Sequence, residues 1–137
     1  MSHQPSSAPR VSLVDPRTLA RVTTRDEDGV TVAEITGEVD ISNVESVGRV
    51  LTQVSNQASG LVVDLREATY LDSSAISLLH DLASRLTQRS QRLTIVCGAQ
   101  SLPRRVLTVT GLDARAPVFE ELAQAVAAAA SLDEEGG

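Results

Sequence analysis

Two apolar segments that flank an amphipathic one constrain the fold more than any other feature of this sequence. Residues 61–65 form a nearly continuous apolar run, whose length and β-branching favour a strand covered on both faces. Residues 92–97 form a second apolar run. Between the two runs, apolar residues recur at helical spacing over residues 74–88, which predicts an amphipathic helix. The segments therefore predict a right-handed strand-helix-strand unit and an α/β fold.

The segment before this unit predicts a hairpin and a first helix. Residues 19–25 and 30–36 are rich in Val, Thr and Ile, and residues typical of turns lie between them. Ser42 and Glu45 have the spacing of a capping box, and apolar residues then recur on one helical face. We therefore predict a helix over residues 43–57.

The remaining elements complete a single domain, which suits a chain of 137 residues. They are predicted to be a short helix capped by Ser101, a strand at residues 118–119 and an Ala-rich helix at residues 120–130. Residues 1–17 are rich in Ser and Pro and predict a flexible leader. The domain is predicted to span residues 18–130, and residues 131–137 to form a flexible acidic tail.

Composition excludes several classes of function. The net charge is −6, and the chain contains no Lys, so direct binding to nucleic acid is disfavoured. Tyr70 and Phe119 are the only aromatic residues, which leaves few platforms for stacking bases. Cys97 is the only cysteine and suits a buried position in a reducing compartment. We expect no membrane insertion and a cytoplasmic location.

The loops that follow the strands contain the candidate functional residues. In open α/β sheets such loops carry the site, and here they are residues 37–42 and 70–74. Ser73 and Ser74 follow Asp72 at a predicted helix start, where free backbone N–H groups can accommodate a phosphate. A simpler interpretation is that the serines only cap the helix and that Asp40 and Asp72 are ordinary loop carboxylates.

Four segments of the sequence resemble the STAS domain of bacterial anti-sigma factor antagonists. The segments are Gly-Glu-Val-Asp-Ile at residues 37–41, Leu-Val-Val-Asp-Leu at 61–65, Tyr-Leu-Asp-Ser-Ser-Ala at 70–75 and Val-Leu-Thr-Val-Thr-Gly-Leu-Asp at 106–113. The resemblance covers residues 19–130. Ala75 stands where the family most often has Gly, and Ser77 replaces another small residue.

The resemblance implies a mixed sheet of four or five strands packed with about four helices, and a role in partner switching. The unphosphorylated protein would bind an anti-sigma factor of the histidine-kinase-like ATPase type and free a sigma factor. The anti-sigma factor would use its own ATP to phosphorylate Ser74, with Ser73 as the second choice, and a serine phosphatase would reverse the reaction. No cofactor or metal is expected on this chain. The implied partner-binding residues are Glu38, Asp40, Ser42, Asp72, Ser73, Ala75 and Ile76.

Two other functions compete with this interpretation. A STAS-like domain could be an assembly subunit, either of a stress-signalling complex or of a lipid-transport ATPase. An enzyme would have to be a hydrolase that acts through Ser74. His80 lies six positions later on a different helical face, and Ser74 is not in a Gly-x-Ser-x-Gly elbow, so we expect no enzymatic activity.

Overall fold

A mixed β-sheet forms the centre of the fold in the computed structural model, which describes residues 10–13, 20–56 and 58–130. Seven strands lie in these residues: β1 (Arg10–Leu13), β2 (Arg21–Glu27), β3 (Val30–Val39), β4 (Gly60–Asp64), β5 (Ala68–Leu71), β6 (Arg92–Val96) and β7 (Val118–Phe119). Some of the predicted features lie outside the described residues. They are the start of the first predicted strand at Leu19, the end of the first predicted helix at Gln57, residues 1–9 and 14–17 of the predicted leader, and the predicted tail.

Four α-helices accompany the sheet in the described residues: α1 (Val44–Ser55), α2 (Ser73–Gln88), α3 (Leu102–Val109) and α4 (Leu122–Ala130). A short 3₁₀ turn follows α3 at Leu112–Ala114. The predicted α/β class and its four helices are therefore confirmed, and the hairpin is formed by β2 and β3.

The sheet has the strand order β1-β2-β3-β4-β6-β7, and β5 pairs with the end of β3. The pairs β1-β2 and β2-β3 are antiparallel, whereas the pairs from β3 onward are parallel. The sequence predicts only five of these strands. β5 is missed because only its first and last residues are buried, and β1 falls within the predicted leader, where its pairing with β2 makes it a strand.

Both faces of β4 are covered, as the sequence predicts, and every residue of the strand is buried. Leu61 and Val63 belong to the larger core cluster, which packs against α1 and α2, whereas Val62 belongs to a smaller cluster beneath α4. The α4 backbone lies close to β4, because a Cβ added at Gly60 would lie 2.6 Å from the carbonyl oxygen of Ala129. β4 is therefore a fully buried strand at the centre of the sheet.

Candidate functional site

The two loops singled out in the sequence meet at one edge of the sheet. β3 pairs with β5 in parallel, and this pairing shifts register between Gly37 and Glu38, so that Val39 lies opposite Leu71. The backbone N–H of Asp72 donates to the carbonyl oxygen of Val39 at 3.2 Å. Because Asp72 and the β3–α1 loop follow paired strand ends, the sheet brings the two loops together as predicted.

Asp72 is the N-cap of α2. Its Oδ1 accepts hydrogen bonds from the backbone N–H groups of Ser74, at 2.9 Å, and Ala75, at 3.1 Å. The same oxygen accepts a hydrogen bond of 2.6 Å from the hydroxyl of Ser74. The capping interpretation of the serines is therefore wrong, because Ser73 and Ser74 lie inside the first turn and the carboxylate before them is the cap.

The second oxygen of Asp72 ties the two loops together. Its Oδ2 accepts a hydrogen bond of 3.1 Å from the backbone N–H of Ile41. The hydrogen bond from the Ser74 hydroxyl has the largest effect on the pKa of Asp72, which it lowers below its ordinary value. Partial desolvation opposes this effect, and the backbone N–H groups of Ala75, Ile41 and Ser74 add to it. Asp72 is therefore an ionised acceptor that holds the Ser74 hydroxyl.

The loop before α1 is fixed by Asn43 and Asp40. The buried Asn43 side chain accepts from the backbone N–H of Asp40 at 3.0 Å and donates to the carbonyl oxygen of Glu38 at 2.9 Å. Asp40 Oδ1 accepts from the backbone N–H of Ser42 at 3.0 Å and from its hydroxyl at 2.5 Å. The predicted Ser42–Glu45 capping box is therefore wrong, since the Ser42 hydroxyl bonds to a carboxylate of its own loop.

Asn43 was not among the predicted site residues. This residue is the N-cap of α1, although its side chain makes no capping hydrogen bond and serves the preceding loop instead. A preference for Asn at the N-cap is the signal that could have identified it.

The predicted partner-binding residues divide into accessible and inaccessible groups. Glu38, Ser42 and Ser73 are exposed, and Asp40, Asp72 and Ser74 are partly exposed. Ala75 and Ile76 are buried, with 0% and 5% of their surface exposed. Their side chains belong to the core that α2 covers, so the prediction that these two residues contact a partner is wrong. They instead pack the first turn of α2 against the core.

Two exposed apolar side chains, neither of them among the predicted partner-binding residues, accompany the site. Ile41 is 76% exposed and follows Asp40, and Tyr70 is 46% exposed and lies opposite Glu38 in the β3–β5 pairing. An apolar residue in an otherwise polar loop is the sequence signal that could have identified Ile41.

Ser74 also lies at the edge of a groove between α1 and α2. The groove has a volume of about 780 Å³, and its lining includes Ile41, Val44, Gly48 and Leu78. The hydroxyl of Ser74 is therefore next to a concave surface that another molecule can reach.

Comparison with known protein families identifies the family to which a chain with this fold and site belongs. The family model of the STAS domain matches residues 21–125, which is most of the chain. The chain belongs to the STAS domain family. The match includes both site loops and all the strands from β2 to β7.

Relatives of this STAS domain include anti-sigma factor antagonists. The anti-sigma-F factor antagonist RsfB of Mycobacterium tuberculosis is 29% identical over 109 residues, which cover 77% of this chain and 85% of the relative. The crystal structure of an anti-sigma factor antagonist from Mycobacterium paratuberculosis has a TM-score of 0.72 and 26% identity, covering 85% of this chain and 98% of the other. SpoIIAA in its unphosphorylated form has a TM-score of 0.59 and covers 85% of this chain and 98% of its own, but its 14% identity shows a shared fold alone.

At the site of this STAS domain, the Ser74 hydroxyl is a partly exposed hydrogen-bond donor. The Ser74 hydroxyl bonds to a carboxylate, and no hydrogen bond joins it to His80 in the described residues. Within residues 10–13, 20–56 and 58–130, no group of three His, Cys, Asp or Glu side chains is arranged to hold a metal ion. No helix in this part of the chain has both the length and the apolar character needed to cross a bilayer.

Proposed function

We propose that this STAS domain is an anti-sigma factor antagonist that is switched by phosphorylation of Ser74. The observation that carries the proposal is the 2.6 Å hydrogen bond between the Ser74 hydroxyl and Asp72, at an accessible helix start beside the α1–α2 groove. The similarity to RsfB over 85% of that relative supports the antagonist role. Ser74 is preferred to Ser73 because only the Ser74 hydroxyl has a hydrogen bond to the carboxylate in the described residues.

The proposed partner is an anti-sigma factor of the histidine-kinase-like ATPase type, which would release its sigma factor when it binds this chain. That partner would supply ATP and the kinase activity, so the role of this chain is binding and not catalysis. A serine phosphatase would restore the unmodified form. The cycle would take place in the cytoplasm.

Electrostatics explain how phosphorylation would end the interaction. A phosphoserine carries about −1.5 to −2 charges near pH 7. At Ser74 this charge would lie beside Asp72 and close to the loop that contains Asp40. A penalty of about 3–4 kcal/mol at the contact would weaken binding by roughly 140- to 720-fold, because each ~1.4 kcal/mol is a factor of ten. The helix N-terminus would offset part of the cost of the phosphate within this chain, so the fold would persist.

A binding titration tests this function. The purified anti-sigma factor is titrated with unmodified protein, Ser74→Ala and Ser74→Glu, and the dissociation constant of each complex is measured. Ser74→Ala should bind as the unmodified protein does, whereas Ser74→Glu should bind much more weakly. Thr87→Glu adds the same charge to an exposed site near the other end of α2, about 20 Å away, and should bind normally.

Incubation with the kinase and ATP provides the second measurement. The protein should gain one phosphate, and Ser74→Ala should prevent this gain. Phosphate incorporation that persists in Ser74→Ala but disappears in Ser73→Ala would move the site to Ser73. A stable large complex that is insensitive to phosphorylation would instead favour an assembly subunit.

A further inference from the structure

The helices α1 and α2 lie side by side and leave an open groove between them. The groove begins where Asp72 binds the backbone N–H of Ile41. At the other end Arg85 donates to the hydroxyl of Thr52 at 3.3 Å, and Arg89 donates to the side-chain oxygen of Asn56 at 2.8 Å. Because contacts join the helices at both ends, the two run in parallel and the groove has a defined shape.

The floor of the groove near Ser74 is apolar and accessible. Val44 and Leu78 are only partly buried, and Ile41 is 76% exposed at the end that includes Ser74. A Cβ added at Gly48 would lie 2.9 Å from Leu78 Cδ1, so the glycine allows the two helices to approach and leaves no side chain above the floor. Isolated exposed apolar residues are common, but here one exposed and two partly buried apolar side chains line one concavity.

The walls of the groove carry charges in the same order on both helices. Glu45 precedes Arg49 by one turn on α1, and Asp81 precedes Arg85 by one turn on α2, and all four residues are exposed. In each helix the acidic residue is nearer to the Ser74 end. In the part of the chain that the structure describes, Glu45, Arg49 and Asp81 form no ion pair, so their charges are available to another molecule.

We propose that this groove is the surface on which the anti-sigma factor docks, with an apolar side chain of the partner held between Ile41 and Leu78. The inference rests on the proposed function, and continuity with Ser74 identifies the occupant. A kinase that phosphorylates Ser74 must bring its nucleotide into contact with that hydroxyl, and its surface then covers the adjoining end of the groove. The charge order fits a partner segment with basic groups nearer to Ser74 and acidic groups about one turn farther along.

Matched substitutions of exposed apolar residues test the groove. Ile41→Ser removes the apolar group at the Ser74 end, and Ser77→Phe places a bulky side chain over the floor from an exposed position. Val109→Ser is the control, because Val109 is 80% exposed and lies on α3, away from the groove. The purified ATPase-type anti-sigma factor is the probe in each titration, and circular dichroism establishes that each variant is folded.

Ile41→Ser and Ser77→Phe should each weaken binding by about tenfold or more, as expected for residues at the centre of an interface. Val109→Ser should change the dissociation constant by less than about twofold. If Ser74→Glu releases the partner while Ile41→Ser and Ser77→Phe bind normally, the groove proposal is overturned and the proposed function stands. If the unmodified protein does not bind, or Ser74→Glu binds equally well, the proposed function fails and the groove proposal fails with it.

Discussion

Replacement of Asp72 by Ala should destabilise the protein through the first turn of α2. The carboxylate accepts from two backbone N–H groups of that turn, from the Ser74 hydroxyl and from the Ile41 backbone N–H. Loss of an N-cap side chain costs about 0.5–2 kcal/mol. The Ile41 contact is exposed, so water replaces most of it, and we expect a total loss of about 1–2 kcal/mol in the free energy of unfolding. This corresponds to a decrease in Tm of roughly 3–8 °C for a domain of this size.

Urea denaturation followed by circular dichroism is the appropriate assay, because the chain has no Trp and a single Tyr. The midpoint should fall while the m value stays constant. Asp72→Asn keeps an acceptor at the cap and should lose half as much stability or less. Asp81→Ala is the matched control, since this exposed carboxylate on the same helix makes no hydrogen bond or ion pair in the described residues. Equal midpoints for Asp72→Ala and Asp81→Ala would refute the assignment of Asp72 as the cap.

Three further predictions follow from the structure. The pKa of Asp72 is lowered in the folded state. The stabilisation that Asp72 contributes is therefore complete at pH values above the ordinary pKa of 3.8 and is lost as the pH falls through the folded pKa. The difference in urea midpoint between the unmodified protein and Asp72→Ala should decrease as the pH is lowered through this range. Gly60→Ala should cost about 1–3 kcal/mol in urea denaturation, because the new Cβ meets a backbone carbonyl at 2.6 Å, whereas Gly48→Ala meets a side-chain methyl that can rotate and should cost less; equal losses would contradict this reasoning. Asn43→Ala should cost about 1–3 kcal/mol in thermal unfolding, because two backbone groups of the β3–α1 loop lose their partner; Asn43→Asp keeps the acceptor and should lose less.

The parts of the fold that could be predicted are those whose burial pattern lies within one segment. β4 and α2 were predicted because each shows its own apolar period, and Ala75, Leu79 and Leu82 are all buried on the predicted face of α2. β5 could not be predicted, since only its first and last residues are buried. It is a strand because the end of β3, from Gly37 to Val39, pairs with it in parallel. That pairing depends on residues about 30 positions apart, which no local pattern reveals.

The location of the candidate site could be predicted from the sequence, but the hydrogen bonds within it could not. The meeting of the two loops followed from the rule for parallel strand ends. The capping role was not predicted correctly: the simpler interpretation of the sequence gave it to the serines and treated Asp72 as a loop carboxylate, whereas in the structure Asp72 is the N-cap. The family resemblance implied that Ala75 and Ile76 bind a partner, whereas the helical turn directs both side chains into the core.

The hydrogen bond between Ser74 and Asp72 also determines where a phosphate on Ser74 could go. In the unmodified protein the Ser74 hydroxyl is the donor in this 2.6 Å contact. A phosphorylated Ser74 Oγ carries no hydrogen, so the contact would become a repulsion between a carboxylate and a dianion. The phosphate would therefore turn away from Asp72, and the α1–α2 groove, which Ser74 lines, offers accessible space. The carboxylate that caps α2 would thus direct the added charge onto the proposed docking surface, which explains how a single phosphate could displace a partner without unfolding the helix that carries it.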